Sequence, residues 1–206
     1  FLWYAISRQD RPSIDRHHAN WLRALKRADH IDEAQKEANQ DGIRTEIALI
    51  DGDFNTYRDG ARRIYESVQR QAGKMQTSAM ARLSGYALIL TRELDDARGK
   101  FRESLVDNHA LGDRHAVAAC FSAFAVLAVE EHDPYRCARL LGASDAILEK
   151  LHTRLMRWDR HHISRTLQKL NAQLDAESQS AARAEGHAMS LEQAMAYALE
   201  TGKADQ

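Results

Sequence analysis

Ten histidines and two cysteines are the first residues of this chain whose types invite chemistry. Two imidazoles grip a metal when they share a helix face at i and i+4, as in the His-Glu-x-x-His pattern. Here His17-His18 and His161-His162 are direct neighbours instead. Adjacent residues on a helix of 3.6 residues per turn point about 100° apart, so each pair chelates poorly from one face. His109 and His115, with Asp107 and Asp113 close by, are the more suggestive group, yet no motif completes a ligand set. Cys120 and Cys137 sit in apolar helical patterns, which predicts buried free thiols and a reducing compartment. Only His132 and Arg136, beside Cys137, could help to generate a thiolate. No catalytic residue, metal site or cofactor is assigned on these grounds, and no enzymatic activity is expected.

Two further groups carry charge in a pattern. Arg157, His161, Arg165 and Lys169 recur at i+4 opposite Ile163, Leu167 and Leu170, and read as a solvated helix face. Arg82 and Tyr86 lie one helical turn apart, and Glu46 stands 40 residues before Tyr86. An Arg, a Tyr and a carboxylate brought together could orient a peptide or a small polar effector. The competing reading is a plain Arg82–Glu46 salt bridge, worth about 0–1 kcal/mol at a surface.

Whether they meet depends on the elements that carry them. Ala, Leu, Arg, Glu and Gln abound, while only two prolines and ten glycines occur among 206 residues. That is helix-forming composition. Self-similarity follows at an offset of 40: "PSIDRHHANWLRALKR" (12–27), "GDFNTYRDGARRIYES" (52–67), "RELDDARGKFRESLVD" (92–107) and "HDPYRCARLLGASDAI" (132–147). Trp21, Ala61, Phe101 and Leu141 form an apolar set in that register, and Ala5, Thr45, Gly85 and Ala125 a small one in the preceding helices. The pattern predicts helix pairs 1–9 with 14–29, 32–51 with 54–71, 76–92 with 95–109, and 113–131 with 134–151. Asp133-Pro134 is a helix start, and Gly142, costly inside a helix by about 1 kcal/mol, should mark a point where two helices touch. A hairpin of this kind cannot bury its apolar stripe alone, so neighbours should stack.

Beyond the repeats, 158–174 carries the stripe Ile163, Leu167, Leu170 and Leu174. Residues 177–200 read as two short helices split near Gly186, the second opened by a Ser190–Gln193 capping box. The expectation is an all-α chain: a helical-hairpin solenoid of about four repeats over 1–151, with 152–206 as a helical cap of the same domain.

The small residue Gly85, followed by Ala97 and Phe101, resembles the tetratricopeptide pattern, at a spacing longer than the usual one. The C-terminal half resembles something more specific. "GDRHAVAACFSAFAVLAVEEHDPYRCARLLGASDAI" and "AEGHAMSLEQAMAYAL" are similar to the C-terminal repeat region of bacterial ATP-binding transcriptional regulators. The run Glu185 to Ala194 resembles that family's Ala-x-Gly-x-Ala-hydroxyl-Leu-Glu-x-Ala phrase, while His132 stands where Gly is usual and Cys137 where Ala is usual. The resemblance covers about 110–200 and implies a sensor or scaffold region, with ATPase and DNA-binding modules upstream in the same polypeptide. This chain has no G-x-x-x-x-G-K-[ST] phosphate loop and no helix-turn-helix signal of its own.

With 29 basic and 30 acidic residues the net charge is −1, which gives no general attraction to nucleic acid or anionic membrane. No signal segment and no run of about 18 apolar residues is present, so a cytoplasmic setting is expected. The chain opens on Phe1-Leu2-Trp3-Tyr4 and reaches its first Met at Met75, which reads as a piece of a larger protein. Its apolar end is expected to be covered by upstream chain or by self-association into a homo-oligomer. Register assigns Asn39, Gly42, Glu46 and Leu49, then Ala79, Arg82, Tyr86 and Ile89, then Ala119, Ser122, Val126 and Val129 to the concave wall. Asn39, Glu46, Arg82, Tyr86 and Ser122 are its polar groups, and a protein partner or small effector is the expected occupant. The expected function is thus a non-enzymatic sensor or protein-interaction domain of a transcriptional regulator. A free-standing repeat adaptor and a histidine-based metal protein are the alternatives.

Overall fold

The computed structural model describes residues 11–27, 33–71 and 73–200. The expected first helix, 1–9, the apolar start Phe1–Tyr4 and the side chain of Asn39 lie outside the described residues. Among the described residues there are ten helices and no strand. They are α1 (Arg11–Lys26), α2 (Glu33–Asp51), α3 (Phe54–Gln71), α4 (Lys74–Leu90), α5 (Leu94–Ala110), α6 (Arg114–Glu130), α7 (Pro134–Lys150), α8 (Arg157–Gln173), α9 (Ala176–His187) and α10 (Leu191–Leu199).

Why the helices end where they do is visible in the turns. Gly52, Arg92, Gly112, His132 and His152 all have left-handed backbone, with φ of 74°, 67°, 71°, 62° and 50°. The residue after each returns its N–H to a carbonyl five positions back: Asp53 to Ala48, Glu93 to Leu88, Asp113 to Asn108, Asp133 to Ala128 and Thr153 to Leu148, at 2.9–3.1 Å. This is a Schellman stop, which satisfies carbonyls the last helical turn leaves open. After the first four stops, an acidic residue (Asp53, Glu93, Asp113 or Asp133) then starts the next helix. The side chains of Asp113 and Asp133 accept from the N–H groups of Ala116 and Arg136, both at 2.9 Å. Stop and start thus share one three-residue turn at 92, 112 and 132, whereas after the stop at His152 the next helix begins only at Arg157.

The chain divides into two compact units, Phe1–Gln71 and Ala72–Gln206. In the first, Ile14 and Ile43 form a small buried cluster with Trp21, Ile47 and Ile50 against it. In the second, α6 is the central element: every residue from Val117 to Val129 is buried. A helix apolar on all sides must be surrounded, and α4, α5, α7, α8 and α10 supply the surroundings. Phe101 of α5 packs edge-on against Phe124, ring centroids 5.8 Å apart, and Leu170 of α8 and Leu174 just beyond its end join the same core. A Cβ on Gly85 would stand 2.3 Å from the Phe101 ring, so only glycine admits that ring.

Residues beyond 151 belong to this second unit, since α8 packs on α6 and α9 on α7. Gly142 of α7 does mark a helix contact: its hypothetical Cβ falls 2.0 Å from the Arg183 carbonyl oxygen of α9. Gly186 answers it, 1.8 Å from the carbonyl of Arg139. The expected break near Gly186 therefore lies slightly later, at Ala188–Ser190, because Gly186 is a point of close approach inside α9 rather than a breaker. The Ser190–Gln193 capping box opens α10 as expected.

Candidate functional site

Inside the second unit, four helices contribute one continuous polar network. Helix α4 presents Ser78, Arg82 and Tyr86 at successive i+4 positions, which a helix stacks on one face. Helix α5 adds Ser104 and Asn108, again i and i+4; α6 adds Cys120; α8 adds Asp159 and His162. All eight are buried.

The centre is an ion pair. Arg82 donates from Nε to Asp159 Oδ1 at 2.9 Å and from a terminal nitrogen to Oδ2 at 3.4 Å, a forked grip on one carboxylate. Tyr86 donates its hydroxyl to the same Oδ1 at 3.0 Å. On one flank, Tyr86 stacks on His162 with ring centroids 4.1 Å apart and planes 8° from parallel. On the other, Arg82 reaches Ser104 Oγ at 3.5 Å, and Ser104 lies 3.3 Å from Cys120 Sγ. Asn108 donates to the Ser104 carbonyl at 2.8 Å and accepts from Ser78 at 3.0 Å, closing the chain.

Burial governs the electrostatics. Burial alone would lower the pKa of Arg82, but the Asp159 carboxylate overrides it and the net direction is up. Burial, then Asp159, raises Tyr86, keeping it a phenol and a donor. His162 is pushed down to about 3 by burial, with His161 and Arg165 adding to the effect, so its ring is neutral. Burial also raises the thiol of Cys120 and pushes that of Cys137 up to about 12. Both cysteines are free and buried, as their pattern predicts. A thiol held protonated is a poor nucleophile.

Of the five residues assigned to a concave wall, Arg82, Tyr86 and Ser122 lie in this unit. Arg82 and Tyr86 do come together, one turn apart, but beneath α8 rather than on an open face. Their carboxylate partner is Asp159, 77 residues from Arg82 in sequence. Ser122 is buried and donates to Ser144 Oγ of α7 at 2.9 Å. Glu46 is half-buried on α2 in the first unit, and the Asn39 side chain is outside the described residues. Sequence reasoning missed Asp159 and His162. Their signal is positional: Asp159, His162, Ile163, Thr166 and Leu170 form one inward stripe of α8, polar in its first half.

The histidines serve separate ends. His115 contacts the Arg154 carbonyl at 3.0 Å, His187 meets Glu149 at 2.9 Å, and His18 stacks on Trp21. Among the described residues no three His, Cys, Asp or Glu side chains converge as metal ligands. From the basic stripe, Lys169 pairs with Glu130, which Arg92 also holds at 3.0 Å. Among the described residues no helix is long and apolar enough to cross a membrane.

Chemically the network can position α8 against α4, α5 and α6; it offers no reactive group to solvent. No family model matches the chain, and no curated protein or solved structure does either.

Proposed function

We propose that this chain is a non-enzymatic helical-repeat module, a tetratricopeptide-like array of about four hairpins with a C-terminal cap. It acts as the sensor and protein-contact region of a multidomain, cytoplasmic bacterial transcriptional regulator. One observation carries the binding role: the inward face of α4 and α6 takes up an amphipathic helix, the chain's own α8. Apolar contacts from Leu170 and Leu174 support that helix at one end, and the Arg82–Asp159 pair keys it at the other. The recurrence of one turn at 52, 92, 112, 132 and 152 supports the hairpin array. The regulator assignment draws on the likeness of 110–200 to that family's C-terminal region.

Breaking a buried ion pair costs much, while replacing the whole pair by apolar groups often costs nothing, so such pairs contribute more to register than to stability. A face keyed this way is selective for its occupant. A partner helix carrying a carboxylate competes for Arg82 and Tyr86, and its differential affinity sets how far α8 is displaced.

The complete reading frame tests the regulator assignment, and a variant of the network tests the binding face. The frame should encode a nucleotide-binding and a DNA-binding module before Phe1. Asp159→Asn should loosen α8, seen as faster hydrogen exchange over 157–173, and change the transcriptional response. A reading frame lacking those modules overturns the regulator assignment. An unchanged response with α8 demonstrably loosened overturns the role of this face.

A further inference from the structure

A second feature of the unit lies apart from the network and shares none of its residues. Between α6, α7 and the start of α10 is a cavity of about 160 Å³. Its floor is apolar: Phe121, Ala143, Ala146 and Ala194 are buried there. Three of these four are alanines, and their short side chains leave the space that larger residues would fill. Two cations stand at the rim, Arg114 in the first turn of α6 and Lys150 in the last turn of α7, both exposed.

We propose that this cavity is a binding site for a small apolar carboxylate, its hydrocarbon body in the cavity and its anionic head between Arg114 and Lys150. Size supports the body: an apolar protein cavity of about 150 Å³ stays dry and takes a benzene-sized molecule. Charge supports the head. Neither Arg114 nor Lys150 forms a salt bridge among the described residues. The Glu192 carboxylate feels Arg114 but accepts from Ser190 Oγ at 2.9 Å. A ligand with a single apolar ring or branched chain and one carboxylate satisfies floor and rim together. Sugars and nucleotides do not, since their many hydroxyls would be buried among Phe121 and alanine methyls without partners. The site spans three helices, so an occupant ties α10 to α6 and α7. It stands or falls independently of the role given to α8.

Benzoate is the probe, with benzyl alcohol as its neutral match and acetate as the head without the body. Calorimetric titration of the 206-residue chain should show saturable benzoate binding, benzyl alcohol weaker by about tenfold, and no acetate binding. Lys150→Gln and Arg114→Gln, at exposed positions that tolerate change, should each weaken benzoate by about tenfold and leave benzyl alcohol unchanged. Ala146→Leu fills the cavity and should abolish both; Ala194→Leu gives the same reading where the first variant melts early. The absence of saturable benzoate binding overturns the proposal. So does equal affinity for benzoate and benzyl alcohol, or undiminished binding in a folded cavity-filled variant.

Discussion

At His162 a neutral imidazole lies flat against Tyr86, with Asp159, His161 and Arg165 as the charged or titratable groups around it. Its folded pKa, near 3, is below the unfolded value of 6.5. Between those values the unfolded chain binds a proton that the folded chain refuses. The contribution is complete above pH 6.5 and is lost as pH falls toward 3, at up to about 1.4 kcal/mol per pH unit. Melting temperature measured from pH 7 to pH 4 should therefore fall more steeply in the wild type than in His162→Phe, which keeps the ring and drops the titration. Parallel curves for the two proteins would remove His162 from the acid response. The ion pair gives a second residue-scale expectation. Arg82→Met leaves Asp159 buried and unpaired and should cost about 3–5 kcal/mol; adding Asp159→Leu should recover most of that loss. Urea unfolding of the two variants measures it, and equal losses in both would refute the pairing.

At the scale of elements, helix ends were legible because capping chemistry is local. Asp133-Pro134 and Ser190–Gln193 specify their starts within four residues, and the helices begin there. Gly142 was legible as a contact because its helical cost demands a packing reason, and Arg183 supplies it. Asp159 and His162 were not legible. An apolar periodicity skips polar residues, and nothing local to α8 says that Arg82 lies opposite. The turns hold a testable strain. Three of the five left-handed positions, Arg92, His132 and His152, are not glycine. A side chain there costs about 1–2 kcal/mol, partly offset by the greater freedom glycine has when unfolded. His132→Gly, and likewise Arg92→Gly, should each stabilise the protein by about 0.5–1 kcal/mol. Gly112→Ala, at φ 71°, should destabilise it by a similar amount. Thermal melts decide the matter, and the idea fails if the glycine variants melt lower.

For the molecule as a whole, the two compact units differ in what they bury. Phe101, Phe121, Phe124, Leu127, Leu140 and Leu170 give the second unit an extensive core around α6. Among the described residues the first unit has a smaller cluster, Ile14 with Ile43, and buries Leu25, Tyr57, Ala61 and Tyr65 besides. A fragment of 72–206 should accordingly unfold in one cooperative calorimetric transition, while 1–71 alone should melt broadly or at much lower temperature. A non-cooperative 72–206 would show that its core is insufficient by itself.

The distance in sequence between Arg82 and Asp159 also sets an order of events. The α4–α5 and α6–α7 pairs are each closed by a three-residue turn, so their contacts should form early and at small loop-closure entropy. Joining α8 to α4 requires 77 residues to be gathered first. Docking of α8 is therefore expected to be the late step of assembly, on the native side of the rate-limiting barrier. In stopped-flow experiments Asp159→Asn should speed unfolding and leave the folding rate nearly unchanged, whereas Phe101→Leu in the α4–α5 pair should slow folding. Slowed folding in Asp159→Asn would place α8 in the nucleus instead. A helix that arrives last is expected to be the first to leave, so native-state hydrogen exchange should show 157–173 opening while α4 to α7 stay protected.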